Sequence, residues 1–581
     1  MTLRAASPFT KMSFPLNVYA YALFLEEGHA KYLHYGLFKD PYDSIDIAQS
    51  YSTELLLQQL PPPPCRILEV GSGLGTTLNI LINMGYQIES ITPDITQIEY
   101  IKSQYEDAPV SCQYFENFST NTPIFDVILF QESAQYIDLL SIFNQSLNYL
   151  KESGTVIIID EFSLDCKTPK KSNLHNIDQM LALATRFNFS LEQQIDLSHY
   201  AAPTLDYILK ITQKHKHTLI TDLSISNAQL SQLETSNKTY KDNYKQGYYG
   251  YTLLCFKKNS LPKWRLKALD IVNFSKLQSL FKLSFDKNLS SELWQWKYKS
   301  AQNSTLGVWQ DEQLIAHYGG IPRDILYFGK AEQAMQIGDV MVNPKYRGAL
   351  RRTGPFFIMA SSFIEKHIGF GKNFLLGFGF PNARAMQVAQ HLKLYNSVGH
   401  MNEHLWRATK KLPSLLTTLR LLQPAELQQS KKIIDSLWQQ MADDFTQDII
   451  GIRDFNYIQH RYLKHPEHTY QFLLIKNRYT QKAQGLIITQ INNNCCEIID
   501  LISTTHNIPL LIQYTKRFAT TQHCTHVICQ ISNAFSPYLA TPDVKIKPLN
   551  IQIANNCWSK GPSSEQIKSH WWLMAGDMDF R

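Results

Sequence analysis

The chain is 581 residues long, 44% hydrophobic and 18% charged, with a formal net charge of +6. That length exceeds one core and predicts about three or four domains, and the composition is globular, without the run of roughly 18 apolar residues that a membrane helix needs. The positive charge is spread thinly, with no basic run interleaved with aromatics, which argues against nucleic acid as a partner but suits anionic cofactors.

Nine cysteines without framework spacing fit a reducing compartment. His523, Cys524, His526 and Cys529 lack a second ligand pair at zinc spacing, so no metal is expected. The first thirty residues hold charges and aromatics but no apolar core followed by a small-residue cleavage site, so a cytoplasmic location without a membrane span is expected.

In chain order, Pro61 to Pro64 make a stiff approach to a strand over 66–70, and Gly71, Gly73 and Gly75 then break the chain at alternate positions. Alternate glycines permit left-handed dihedrals and let a ligand lie on the main chain. A dinucleotide fingerprint needs its last glycine at the sixth position, which here is Thr76, so NAD is disfavoured. Helices over 76–84 and 96–105 alternate with strands over 87–92, 111–115, 125–130 and 155–159, which predicts a doubly wound parallel sheet. Ligands bind beyond the carboxyl ends of such strands, placing 71–75, 92–94, 116–117 and 131–133 around one crevice. Strands over 193–197 and 250–256 should complete the sheet, with helices over 173–187 and 205–233 above the site.

Glu69 stands two residues before the first glycine, and the run Glu-x-Gly-x-Gly-x-Gly resembles the first motif of class I S-adenosylmethionine-dependent methyltransferases. The resemblance implies that Glu69, Gly71, Ser72, Gly73 and Gly75 seat S-adenosyl-L-methionine. The family usually ends its second strand on an acid for the ribose; here Thr92 stands there, with Asp94 two residues on. The run 91–100 resembles instead the cyclopropane-synthase and sarcosine-type branch, which makes Gln97 the ribose-side contact. By the same resemblance the segment 32–38 caps the cofactor and Glu116 meets the adenine edge. Gln131 and Glu132 would lie beside the methionine moiety and the acceptor, Glu132 as a catalytic group. His199 and Tyr200 are candidate acceptor contacts.

A polar linker closing on Pro262 ends this first domain, 1–258, and opens a second, 262–410. There a strand through Asp339, Val340 and Val342 enters a basic loop, Asn343 to Gly354, that opens an apolar helix over 355–366. Loop N–H groups, a helix start and Arg347, Arg351 and Arg352 form a receptor for a pyrophosphate. The order strand, Val-x-Pro-x-Tyr-Arg-Gly, loop, helix resembles the acyl-CoA motif of the GNAT N-acetyltransferase superfamily, with a longer loop carrying more arginines and fewer glycines. The resemblance implies acetyl-CoA or another acyl-CoA, held by Val340, Val342, Arg347, Gly348, Arg351, Arg352, Thr353 and Gly354, with Asn382 near its arm. Asp339 would be the general base. Ala389 occupies the position of the family's tyrosine acid, leaving that role to Tyr395, His391 or water.

Residues 411–581 should open with a helix over 412–422 and then repeat the plan of the second domain: an aromatic helix over 455–462, strands over 471–476, 483–490 and 497–502, a helix over 509–520 and a strand over 526–530. No arginine or glycine lies in 501–511, so this is read as a degenerate GNAT-like repeat closing the acceptor cleft. Trp571 to Asp577 would either line that groove or pack in the core.

The fold class expected is α/β: a doubly wound Rossmann-like methyltransferase domain followed by two α/β GNAT-like domains, the last degenerate. The function expected is a bifunctional transferase acting on a small-molecule acceptor, an amino sugar or secondary metabolite being the kind in view. The alternative is that only the GNAT half is active and the first domain is a binding scaffold.

Overall fold

The computed structural model describes residues 9–120, 123–164, 174–269, 273–298, 305–347 and 352–579. It divides into two compact units, residues 1–265 and 266–581. No helix among the described residues is long and apolar enough to cross a membrane.

The first unit is built on seven strands: β1 Arg66–Val70, β2 Gln87–Thr92, β3 Val110–Cys112, β4 Phe125–Gln131, β5 Leu150–Ser163, β6 Phe189–Asp196 and β7 Tyr249–Lys258. Their spatial order is β3-β2-β1-β4-β5-β7-β6. The first five run parallel, and β7 enters antiparallel between β5 and β6. β1 and β4 are buried along most of their length because helices cover both faces of a parallel sheet. The order reverses at β1, so the carboxyl ends of β1 and β4 open the crevice where ligands bind in this Rossmann-like fold. The helix expected over 205–233 is three helices, Pro203–Lys214, Lys216–Asp222 and Asn227–Lys245. Ser226 starts the last of them with a capping box closed by Gln229, a local signal strong enough to break the run.

The second unit repeats one order of elements: an antiparallel strand pair, a helix and a strand parallel to the one before that helix. Its strands are β8 Arg265–Ala268, β9 Thr305–Gln310, β10 Gln313–Tyr327, β11 Lys330–Val342, β12 Leu376–Gly379, β13 Tyr395–Arg407, β14 Thr417–Leu422, β15 Ile449–Gly451, β16 Gln471–Asn477, β17 Ala483–Asn492, β18 Cys495–Ile502, β19 His526–Ser532, β20 Lys545–Asn556 and β21 Trp571–Trp572. One sheet carries them all, and the halves expected at 262–410 and 411–581 interlock in it: β20 lies between β12 and β13, and β15 pairs with β10.

The helix expected over 412–422 is instead strand β14, antiparallel to β16. Its leucines fit either period, but β-branched Thr417 and Thr418 and the unpaired edge of β16 favour extension. Trp571 and Trp572 pack in the core, so the aromatic pair does not line the groove.

Candidate functional sites

In the first unit a cavity of about 360 Å³ lies at the carboxyl ends of β1, β2 and β4. Of the residues expected there, Glu69, Gly71, Ser72, Gly73, Thr92, Asp94, Gln97, Glu116, Gln131 and Glu132 line it, together with Tyr32, Leu33 and His34 of the entry segment. Gly75 does not: it starts the helix Thr76–Asn83 at φ +81°, and a Cβ there would meet Ile101 at 3.0 Å, so its role is helix entry and packing. His199 and Tyr200 are also off the wall; they pair edge to face, and the Tyr200 carbonyl accepts the Phe38 N–H.

The turn is shaped for close approach. Gly71 has φ +87°, and a Cβ there would strike the Ser133 Cβ at 2.5 Å. Gly73 has φ +53° with no atom within 4 Å of a built Cβ, so its backbone is open to a ligand. Behind it, Glu69 is buried and accepts from Ser90 Oγ at 2.6 Å, while Ser90 meets Ser72 Oγ at 2.6 Å. Burial pushes the Glu69 carboxyl up to about 7.

At the end of β2, Thr92 donates its hydroxyl to Gln97 Oε1 at 2.8 Å, and Asp94 caps its helix by accepting from Thr96 N at 2.9 Å. Gln131 accepts from Thr77 at 2.9 Å, and its buried Nε2 has no partner among the described residues. An orphaned donor, an open glycine backbone and paired loop ends are what a nucleoside joined to an amino acid requires, so these residues fit the S-adenosylmethionine group.

Glu132 sits in left-handed conformation at φ +54° and takes hydrogen bonds from Tyr35 N and Tyr251 Oη, each at 2.6 Å. Burial holds its carboxyl well above the ordinary range. Asp160 and Glu161, one strand over, rise to about 8 and about 7 by the same cause. Neutral or shared protons on these groups make the acceptor side a set of hydrogen-bond donors and acceptors framed by Tyr35, Tyr244 and Tyr251. Ser133, expected in the crevice with its two neighbours, lines the same wall, whereas Thr77 and Tyr136 there carried no motif that could single them out.

In the second unit β11 pairs in parallel with β12 only from Ala334 to Ile337, then runs on to Val342 paired with β10. A bulge marks the departure: the register with β10 jumps between His317 and Gly319, and Asp339 takes φ +48°. Past Val340 and Val342, both half-buried, Asn343 caps a short turn through Lys345 N. Arg347 folds back to donate Nε to the Val342 carbonyl at 2.8 Å, and Arg352 lies over the Phe357 and Trp558 rings. Thr353 is exposed, and Gly354 precedes the helix Pro355–His367 without any side-chain cap. An uncapped helix start with Arg352 stacked on Phe357 of its first turn fits a pyrophosphate. Gly348 and Arg351 lie outside the described residues. Asn382, expected near the acyl-CoA arm, is the N-cap of the helix Ala383–His391, accepting from Ala385 N at 2.9 Å.

The two expected GNAT acid–base groups are both committed to protein partners. Both oxygens of Asp339 accept from Lys297 Nζ at 3.1 Å, and Oδ2 also accepts from Tyr298 Oη at 2.7 Å. The Lys297 charge and these bonds hold its carboxyl below the ordinary range, and a carboxylate so held is a weak base. Tyr395 is buried with its hydroxyl bonded to that of Tyr318, and burial pushes it up. His317, buried and kept neutral by burial, donates Nδ1 to the Asp339 carbonyl at 2.7 Å and leaves Nε2 without a partner among the described residues.

A second cavity, about 340 Å³, is walled by Trp296, Arg323, Tyr457, His460, Arg461 and the closing residues Met578 and Asp579. Arg461 donates to the Gly576 and Met578 carbonyls at 2.8 and 3.0 Å, and Arg323 reaches Asp577 at 3.2 Å. These residues come from both repeats, and no local sequence pattern marks them as neighbours.

Residues 265–354 match a family model described as an acetyltransferase (GNAT) domain. No curated protein matches the chain. Among solved structures, the chain is similar to the cyclopropane synthase MmaA2 from Mycobacterium tuberculosis, at 16% identity and TM-score 0.38, over 44% of this chain and 97% of that one. It is also similar to geranyl diphosphate C-methyltransferase from Streptomyces coelicolor A3(2), at 16% identity and TM-score 0.33, over 44% and 96%. A conserved protein of unknown function from Enterococcus faecalis V583, described as a probable N-acyltransferase, is similar at 17% identity and TM-score 0.40, over 50% and 72%.

Proposed function

We propose that the chain is a bifunctional transferase: its first unit transfers a methyl group from S-adenosyl-L-methionine, and its second transfers an acyl group, acetyl in the simplest case, from acyl-CoA to an amine of a small metabolite. What supports this reading is that four loop ends converge on one cavity around the open Gly71–Gly73 turn, with a counterpart in the second unit where β11 departs from β12 beside an uncapped helix start.

In the first unit the residues' work is positional. Gly73 admits the ligand to the backbone, Gln131 and Gln97 orient its polar ends, and Glu132, Tyr35 and Tyr251 fix the acceptor side. Methyl displacement at a sulfonium centre depends on alignment and exclusion of water more than on strong acids or bases. In the second unit Arg347, Arg352 and the helix start would hold the pyrophosphate, with Val340 and Val342 beside the pantetheine arm.

Calorimetric titration of the full chain with S-adenosylhomocysteine and with acetyl-CoA tests the proposal. Two independent sites are expected, the first lost on Gly73→Arg and the second on Arg347→Glu. Binding of neither ligand overturns the reading. One observation favours a narrower alternative, in which the first unit only binds a ligand: β2 ends without a free acid, since Thr92 and Gln97 bond to each other and Asp94 is spent as a cap. Binding of acetyl-CoA alone selects that alternative.

A further inference from the structure

The segment from Ala575 to Asp579 packs within the second unit and reaches the bulge of β11 at Asp579. Asp577 is buried and accepts from Arg453 Nη2 at 2.6 Å and Arg323 Nη2 at 3.2 Å, and Gln336 Nε2 donates to its carbonyl at 2.6 Å. Two residues on, Asp579 lies over Gly338, where a built Cβ would meet its Oδ2 at 2.5 Å. Only glycine at 338 lets the carboxylate come so close to the strand at its departure from β12. The Asp339 backbone N–H donates to that carboxylate.

Two buried carboxylates therefore share this corner, and they differ in how they are held. Asp339 receives three hydrogen bonds, two from Lys297 and one from Tyr298. Asp579 stands 3.9 Å from Lys297 Nζ, too far for a hydrogen bond, and faces the 340 Å³ cavity while Asp339 does not. The charged and titratable groups facing the pair are Lys297 and Tyr298 on the helix Ser291–Tyr298, His317 on β10, and Arg461. Burial and the Asp339 charge raise the Asp579 carboxyl, whereas Lys297 lowers that of Asp339. A proton acceptor needs affinity for the proton, so the pair divides into an ionised anchor and a base.

We propose that Asp579, not Asp339, accepts the proton of the attacking amine in the acyl transfer of the second unit, with Asp339 positioning it through Lys297 and its own backbone N–H. The inference rests on the acyl-transfer reading above. In the step, the amine lone pair forms the C–N bond at the acyl carbon. The C–S bond breaks with its electron pair on the CoA sulfur, which takes a proton from solvent, and one N–H proton passes to Asp579 and then to solvent. The acceptor class is a primary amine carried on a molecule small enough for the cavity, with Trp296, Tyr457 and Arg461 along its sides.

The test uses the full chain, acetyl-CoA and a panel of primary amines of different basicity, following release of the CoA thiol between pH 6 and 9. In Asp579→Asn the amide oxygen can still accept the Asp339 N–H, so folding should survive. Acetyl-CoA binding by calorimetry should stay within about threefold, and kcat should fall about 100-fold or more at unchanged KM for acetyl-CoA. The acid limb of the pH profile that stays fixed as the amine is changed should vanish in this variant, and Asp579→Glu should restore it in part. Asp579→Asn with that limb intact and a rate within threefold of wild type overturns the assignment, as does a wild type that binds acetyl-CoA but releases no thiol with any amine. A wild type that does not bind acetyl-CoA overturns the acyl-transfer reading, and this inference falls with it.

Discussion

The two cavity-lining glycines of the first site should respond differently to the same substitution. Gly71→Ala meets both a left-handed φ and the Ser133 side chain at 2.5 Å, so it should cost about 2 kcal/mol or more and abolish S-adenosylhomocysteine binding. Gly73→Ala meets only the dihedral penalty, about 1 kcal/mol, since the space is open. Urea unfolding and ligand titration of both variants check this. Glu69 supplies a pH dependence. Its carboxyl rises from an ordinary 4.5 to about 7 on folding, so between those values the folded state holds a proton that the unfolded state has released. Stability of the first unit should therefore fall as pH rises from about 4.5 to about 7, by about 3 kcal/mol from this residue, and stay level above. Glu69→Gln, which keeps a partner for Ser90, should flatten that slope in urea midpoints taken at pH 5 and pH 8. At this scale the sequence was informative wherever a residue's type alone fixed its geometry. The glycine turn needed no partner to be read. The pairing of Asp339 was not legible because its lysine comes from a helix 42 residues earlier, nor was the setting of Asp579, which depends on Gly338, far away in the chain.

Among the elements, the buried triad of Arg453, Asp500 and Asp577 ties β18 and the closing segment to the start of the helix Phe455–Ile458. All three side chains are at most 3% exposed, and Tyr462 completes the shell of Asp500 at 2.7 Å. Arg453→Met leaves Asp500 buried without a cation and Asp577 with Arg323 alone, and should cost about 3–5 kcal/mol, read as a lower urea midpoint of the second unit. Adding Asp500→Asn should recover part of that loss by removing one stranded charge. Element types and order were legible through most of the chain because hydrophobic period and glycine or proline breaks are local. The exceptions have a common cause. Strand β14 and the three helices between Pro203 and Lys245 were decided by a neighbouring edge and by a capping box, each stronger than the leucine period that suggested otherwise.

For the molecule as a whole, each unit has its own core and its own candidate ligand. Scanning calorimetry should show S-adenosylhomocysteine at 100 times its Kd stabilising one transition by about 2.7 kcal/mol and acetyl-CoA acting likewise on the other. Removing residues 571–581 should leave the first response intact and abolish the second, because Arg323, Arg453 and Arg461 lose the backbone and carboxylates they hold. The interlocking of the two repeats was not legible: order and spacing revealed a second copy of the plan, but strand exchange is a long-range choice that leaves no periodic trace. That exchange also sets a timetable for synthesis. β12 and β13 leave the ribosome more than a hundred residues before β20, which separates them in the finished sheet. At roughly 5–20 residues per second, the roughly 300 residues from Leu266 onward take about 15 s to a minute to appear. For about half of that time, from the end of β13 to the arrival of β20, the nascent second unit exposes a gap in its sheet. A pause placed just before codon 545 would lengthen this interval, whereas a pause in the first unit would leave it unchanged.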